Sequence, residues 1–472
     1  MKVSRIHILN ARIAAPGTLL LLGISWRLIW LARQHPFELK GAEALNAAIT
    51  FAHTGLFADA IAPGEGLTAH LNPVMPIISG VVYRLMGVQT PSANWLLSIA
   101  AMGFSLGSAM MLYRSFGLMG ASRSSRLLGL ALYCLLPLAP FTELIEFRHW
   151  EGGLAIFLAT SLLYLIVETD VSNATDWFRR CALALVAAIL FFINLPLGLA
   201  GYTMCLLLLV RKLEWRDSFK TVAMATLVLT VVLTPWTIRN YQAYGTFTPL
   251  RNNAGLELAL ANHQEAFDNP NHKAAFLARL RDIHPNNNPR IFLKMNRLGG
   301  EGNYSKILER ETFQWILGHP FQFVRLMIRH CAEFYFPPSW LWSLWSGNSQ
   351  ATMLKLFTTW ISAFLGLIGA FCAIFIWRRN FVYAAALALI PVLPYLVVQP
   401  IIRYRFSVIG ILFFFAAEFI LFVTRYFTGS LLNRRIVGAP ADFDLGETAH
   451  TVALEAAVTH IPFFRNSVLN AF

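Results

Sequence analysis

Ten apolar runs, each of about 16 to 24 residues and set apart by short clusters of Arg, Lys, Pro and Gly, decide which solvent this chain folds in. A helix of roughly 20 apolar residues crosses the hydrocarbon core of a bilayer, and in lipid its backbone groups must satisfy one another. The runs lie near 13–33, 93–114, 126–142, 153–168, 180–194, 195–211, 221–237, 354–377, 381–398 and 406–425. They predict an all-α integral membrane protein of about ten transmembrane helices. Of the 472 residues 56% are hydrophobic and 13% charged, against about 25% charged in soluble domains. With a mean hydropathy of +0.54, the chain holds more apolar surface than a soluble core absorbs.

Charge sets the orientation. Short cytoplasmic loops collect Lys and Arg, and every second connection does so here: the N-terminus, Arg114 to Arg126, Arg179 and Arg180, Arg211 to Lys220, Arg378 and Arg379, and Arg425 with Arg434 and Arg435. The run that follows Lys2, Arg5 and Arg12 continues to about Trp30 without a clear cleavage motif, the pattern of an uncleaved anchor. Residues 1–237 then form an N-terminal transmembrane module whose first outer loop is 34–92. Residues 238–353 form a small extracytoplasmic insertion, 354–426 the C-terminal transmembrane helices, and 427–472 a cytoplasmic tail. Residues 73–88 are short, contain Arg84 and start at Pro73 and Pro76, so they read as a juxtamembrane interfacial helix. Charge parity splits the run from Cys181 to Val210 at Asn194, Leu195 and Pro196. Within the insertion, GTFTPLRNN and HPNNNPR read as loops and ERETFQWILGHPFQFVRLMIRHCAEFY as an amphipathic helix.

The net charge of +13 is scattered over the ends of apolar runs, which points to anionic membrane lipids rather than nucleic acid. Four of the five cysteines lie inside apolar runs, so neither a disulfide framework nor a metal-type cysteine pair is expected. His284, His319 and His330 are too scattered in the sequence to argue for a metal site, and none is assigned.

Three groups of polar residues fall on the outer face. The first loop carries Glu43, Asp59, Glu65 and His70; the turn FTELIEFRHWEGGL carries Glu143, Glu146, Arg148, His149 and Glu151; and Arg403, Tyr404 and Arg405 open the last helix. Each has an ordinary reading. Glu43 suits a helix N-terminus, Trp150 with Glu151 suits an interface, and outward arginines can anchor a helix. Two arginines side by side against the charge bias also suit phosphate, whose oxygens guanidinium meets bidentately. Arg27, near the outer end of the first run, has the same choice between snorkelling and phosphate, with snorkelling first. Arg239 and Asn240 cap and anchor the helix that ends in PWTIRNY. The cluster Arg251, Asn252, Asn253, Glu257 and Asn262 suits sugar hydroxyls, although such residues also form ordinary loops.

These segments resemble the bacterial membrane glycosyltransferases of the GT-C superfamily, which includes protein O-mannosyltransferases and the lipid A aminoarabinose transferase. The resemblance rests on Glu43 with GLTAHLNPVMP, on WEGGL, PWTIRNY, RNNAGLELALANH and HPNNNP, on Gly300, Glu301 and Tyr304, and on RYR, in that order over roughly residues 10–426. Many relatives have Asp where this chain has Glu43, which leaves Asp59 as a second candidate. The resemblance implies a GT-C fold and an inverting hexosyl or pentosyl transfer from a polyprenyl-phosphate sugar to a lipid, glycan or protein acceptor. It places the reaction on the periplasmic or exterior face of the cytoplasmic membrane. Glu43 would be the general base, with Asp59 and Glu151 as further catalytic candidates. Arg403, Arg405, Tyr404, Arg27, His70, Arg251, Asn253 and Glu257 would bind substrate. No cofactor is required by the sequence, and a divalent cation at Glu151 is left open. A transporter or flippase, or a non-catalytic envelope assembly subunit, is the competing class. Transporters place ionisable groups at the bilayer midplane, whereas the acids here concentrate in outer loops.

Overall fold

The computed structural model describes residues 2–34, 41–344, 350–375 and 380–437; Arg378, Arg379 and the tail beyond 437 lie outside the described residues. Helix α1 (Lys2–Ala32) is followed by the pair α2 (Glu43–Thr54) and α3 (Val74–Met86), then by α4 (Pro91–Leu118), α5 (Arg123–Leu135) and the short α6 (Pro140–Leu144). Next come α7 (Gly152–Ser172), α8 (Trp177–Ile193), α9 (Leu195–Lys212) and α10 (Trp215–Tyr244). The insertion supplies α11 (Ala254–Ala261), α12 (Gln264–Asp268), α13 (His272–Ile283), α14 (Pro289–Arg297), α15 (Glu301–Gly318), α16 (Pro320–Tyr335) and α17 (Ser339–Trp342). Helices α18 (Gln350–Phe375), α19 (Phe381–Leu389) and α20 (Ile402–Val437) follow. Among the described residues there is no strand, only an isolated bridge between Ala58 and Leu67. The chain divides into compact units Met1–Leu421 and Phe422–Phe472, and the polar groups of interest all belong to the first.

Among the described residues seven helices are long and apolar enough to cross a membrane: α1 from Ala15, α4, α7, α9, α10, α18 from Thr352, and α20 as far as Tyr426. The other three expected spans are helical but shorter. The run 126–142 becomes α5 and a second helical stretch to Arg148, bent by 81°. Pro137 and Pro140 sit at the bend, where neither can donate a backbone hydrogen bond. The run 381–398 ends as a 3-10 helix, Ile390–Leu396, which contains Pro391 and Pro394. Helix α8 has 17 residues. It stops at Asn194, whose side chain caps α9 by accepting from the Leu197 N–H at 3.2 Å, so α8 and α9 form the split pair that charge parity requires.

The bundle is held by apolar interdigitation. Phe116 of α4 meets Phe414, Phe415 and Phe381 with ring centroids 5.2, 5.3 and 5.6 Å apart. Leu130, Leu162, Ile166 and Leu412 are buried in the same core. Ion pairs on two buried carboxylates, Glu143 and Asp170, add register. Arg27 donates to Glu143 at 2.8 Å and to the Cys134 carbonyl at 2.7 Å, and only 2% of it is exposed. Arg27 is therefore neither snorkelling nor aimed at a ligand; it ties α1 to α6. Asp170, at the end of α7, lies 3.3 Å from Arg211 and 3.0 Å from Lys212 at the end of α9.

Helix α3 packs against the turn before α7. Its Ser79 donates to the Arg148 carbonyl at 2.5 Å, and its Tyr83 hydroxyl meets His149 at 2.7 Å and Asn94 at 3.2 Å. Ser98 of α4 donates to the Leu144 carbonyl at 2.8 Å. Both α3 and the start of α4 thus attach to the turn between α5 and α7.

The insertion has its own small core of Leu256, Leu260, Leu280, Ile283, Met295, Tyr304 and Leu308, joined by Ile61 of the first loop. The segment read as one amphipathic helix is two helices, α15 and α16. Pro320 opens α16 at a position that tolerates its missing N–H, and His319 before it leaves the helical conformation. The amphipathic character is retained: Phe313, Leu317, Phe321, Val324 and Ile328 are exposed along one stripe across the break.

Candidate active site

Two features meet on the face built by the first loop, the turn before α7 and the insertion: a carboxylate held between imidazoles and a cavity lined with arginine. Glu43 begins α2. Its Oε1 lies 3.5 Å from Nε2 of His70 and 3.3 Å from Nε2 of His284, and the two imidazole rings are 6.2 Å apart. Burial alone would raise the Glu43 pKa, but His70, His284 and Arg403 outweigh it and hold the group at about 2. Burial would lower His70, yet Glu43, Glu301 and Glu65 raise it to about 9. His284 is lowered by burial, with Glu43 opposing. The cluster is a carboxylate, an imidazolium and a neutral imidazole. His284, set apart by its distance along the chain, thus joins a site that His319 and His330 do not.

The HPNNNP loop positions His284. Its Nδ1 accepts from the Asn286 N–H at 3.3 Å, Asn286 Nδ2 reaches the Gly41 carbonyl beside α2 at 3.1 Å, and Asn288 caps α14 by accepting from Arg290 N–H at 3.0 Å. An acceptor at Nδ1 puts the ring proton on Nε2, facing Glu43. The ligand atoms of Glu43, His70 and His284 all lie within 4.8 Å of one another. One carboxylate and two imidazoles at that spacing suit a divalent ion of the zinc type. In the arrangement seen both Nε2 atoms carry protons towards Glu43, so an ion would have to displace them.

The WEGGL turn builds one wall of the cavity. A side chain at Gly152 would overlap the Phe147 ring, and glycine there lets the start of α7 press on that ring. Trp150 lies under Arg403, whose guanidinium carbon is 3.8 Å from the indole centroid. Tyr404 stacks on Tyr395 at 4.8 Å, and Tyr395 on Phe334 at 5.2 Å. Glu151 accepts from Arg251 Nη2. Trp150, Glu151, Arg251, Tyr395, Arg403 and Tyr404, with Asn194 at the start of α9, line a small cavity of about 30 Å³. Nε of Arg403 is buried without a hydrogen-bond partner, and Nη1 lies 3.9 Å from Glu146.

Glu257 links the two features. Burial raises its pKa, and its carboxyl feels His70 and Glu43 on one side and Arg403 and Arg251 on the other. Asn253 donates to it at 3.4 Å. Other sequence candidates lie elsewhere. Arg405 is 2% exposed and donates to the Tyr335 and Thr359 carbonyls at 3.3 Å each. It staples α20 to α16 and α18, and does not line the cavity. Asp59 accepts from the Gly66 N–H at 2.9 Å and closes its own loop, with φ of 57°.

The residue without an assigned role in the sequence reading is Glu301. It accepts from Thr68 Oγ1 at 2.9 Å, Ala69 N–H at 2.6 Å, Tyr244 OH at 2.9 Å and Asn252 Nδ2 at 2.7 Å. It thereby ties the first loop, the end of α10 and the insertion together. Arg239 adds bonds to the Thr68 and Phe57 carbonyls, both at 2.6 Å. The signal was the motif of Gly300, Glu301 and Tyr304; Tyr304 donates to the Ile283 carbonyl at 2.8 Å, beside His284.

No family model matches the chain, and no curated protein matches it in sequence. Solved structures do. The oligosaccharyltransferase of Archaeoglobus fulgidus in its apo form aligns with a TM-score of 0.51 at 13% identity, over 96% of this chain and 55% of that one. The same enzyme tethered by a disulfide to an acceptor peptide containing the NVT sequon aligns at 0.50, with 12% identity, over 96% and 54%. A third structure, the archaeal oligosaccharyltransferase AglB in complex with an inhibitory peptide and a dolichol-phosphate, aligns at 0.48 with 12% identity, over 95% and 54%. The chain spans about half the length of the structures it matches. At these identities the likeness is one of fold alone.

Proposed function

We propose that this chain, sharing the fold of an oligosaccharyltransferase, is a membrane glycosyltransferase that moves a hexose or pentose from a polyprenyl-phosphate donor to an acceptor lipid, glycan or protein. The observation that carries the reading is the adjacency, through Glu257, of a carboxylate–imidazole group and an arginine-lined cavity. Breaking the bond from the anomeric carbon to phosphate oxygen leaves positive charge on the sugar and negative charge on the phosphate. An active site needs a carboxylate group near the first and cations near the second. The charge pattern of the loops sets this face on the exterior or periplasmic side of the cytoplasmic membrane. In this reading the insertion, residues 238–353, is an outer domain that supplies Arg251, Glu257 and His284.

Arg403 and Arg251 hold the phosphate, and the Trp150 and Tyr404 rings fix the plane of Arg403. The acceptor hydroxyl approaches Glu43, which takes up its proton as bond formation to the anomeric carbon makes that hydroxyl acidic, while His70 and His284 hold the carboxylate in place. Direct attack on the face opposite the phosphate inverts the anomeric carbon. A divalent ion held by Glu43, His70 and His284 would polarise the acceptor oxygen.

The test is incubation of purified protein with radiolabelled polyprenyl-phosphate sugars and candidate acceptors. Glu43→Gln is expected to lower transfer by a hundredfold or more, in line with the roughly 10² to 10⁴ contributed by general bases, while remaining folded. Arg403→Ala is expected to raise the donor KM more than tenfold. Full transfer by Glu43→Gln would reject the acceptor-activating role, and lipid movement without transfer would reassign the chain to the transporter class.

A further inference from the structure

Glu151 is unusually placed for a residue in a phosphate site. Its carboxylate occupies the Arg251 guanidinium inside the cavity that Arg403 shares. Arg403 Nε is buried and unpartnered there, although Nη1 lies 3.9 Å from Glu146, so one guanidinium keeps an open donor while the other is already taken. Burial works against a charged Arg251, and the Glu151 carboxylate outweighs it, raising the Arg251 pKa. The backbone of Glu151 is fixed, because its carbonyl accepts from the Ala155 N–H at 2.9 Å and Gly152 beside it packs on Phe147. Only the side chain is free to change partners.

We infer that Glu151 is a built-in competitor for the phosphate: it holds Arg251 in the empty site, yields it to the donor and reclaims it to expel the product. The inference rests on the reading that this cavity receives the donor phosphate. A donor phosphodiester carries one negative charge, whereas the polyprenyl phosphate left after transfer is a monoester, with about 1.5 to 2 negative charges at neutral pH. Two free arginines would hold the product more tightly than the donor and stall turnover. A carboxylate returning to one of them offsets that bias. Glu151 is thus a positioning residue that acts through Arg251, not a catalytic acid or base.

The experiment is equilibrium binding of a ten-carbon isoprenyl monophosphate to the detergent-solubilised full chain at low ionic strength, by calorimetry. Glu151→Gln is expected to bind this product analogue about tenfold more tightly than the wild-type chain, a gain equivalent to about 1.4 kcal/mol. In an Arg251→Gln background the same change is expected to give no gain, as required if it acts through that arginine. Structural damage does not raise affinity, so the sign separates this role from a merely supporting one. Glu151→Asp, which keeps the charge but falls one methylene short, is expected to give part of the gain and serves if the Gln variant does not fold.

Equal or weaker binding by Glu151→Gln, or by Glu151→Asp where the Gln variant does not fold, overturns the inference. So does a gain that survives loss of Arg251. If the wild-type chain binds the probe and Arg403→Ala does not, a null result at Glu151 leaves the phosphate site standing. Absence of saturable binding in every variant overturns both.

Discussion

Glu65 and Glu301 face each other behind the first loop, and one proton between them is the economical arrangement. Glu301 already accepts four hydrogen bonds, whereas Glu65 is raised to about 8, first by burial and then by Glu301. A carboxyl whose folded pKa exceeds its unfolded value binds more protons when folded, so its contribution is lost as pH rises between about 4.5 and 8. The melting temperature in detergent is expected to fall across that window and to change less in Glu65→Gln, which keeps the neutral form at every pH. Glu301→Ala strands the Thr68, Ala69 and Asn252 donors, Tyr244 keeping the Leu67 carbonyl, and is expected to cost roughly 3 kcal/mol or more, visible as faster proteolysis between residues 59 and 69. At this scale the sequence singled out Glu43, His70, Arg251 and Arg403, each of which carried its own signal, and the structure gathers them in two neighbouring groups. The sequence was silent on partners, because Glu43 and His284 meet only through a loop whose contact with Gly41 no periodicity announces. Arg403 and Arg405 show the same limit: only two positions apart in sequence, they point to different surroundings, one into the cavity and one into backbone carbonyls.

Helices and breaks were more readable, because apolar runs and prolines act locally. The split at Asn194 follows from a capping side chain, whereas the amphipathic pattern runs straight through the break before Pro320 and reads as one helix where there are two. Close packing is unread too. Gly255 at the start of α11 has no room for a side chain, since one would overlap the Ser305 carbonyl of α15. Gly255→Val is therefore expected to destabilise the insertion by about 1 to 3 kcal/mol and to impair transfer, because Arg251 and Glu257 flank that contact. A lower melting temperature with unchanged activity would detach α11 from the site.

For the molecule as a whole, the class was plain from hydropathy, while span number was blurred by the three short or bent helices. The arrangement of the first loop gives a direct test. With α3 attached to the same turn as the start of α4, Ser92 and Asn287 are expected on one face and Ser124 on the other. In a cysteine-free background, an impermeant maleimide applied outside is expected to label Ser92→Cys and Asn287→Cys but not Ser124→Cys. Protection of Ser92→Cys alone would mean that residues 73–88 cross the bilayer.

The four bonds to Glu301 also have a consequence in time. A ribosome adds roughly 5 to 20 residues per second, so the first loop emerges on the order of tens of seconds before the carboxylate that anchors Thr68 and Ala69. Until then its backbone donors have only water or lipid headgroups as partners. The first loop thus waits during synthesis with its acids and His70 on display, and the same late-arriving insertion that brings Glu301 also brings His284. A chain released before α15 is expected to carry its N-terminal helices in the membrane and an open, unfinished loop outside, a target for quality-control proteases rather than a smaller enzyme.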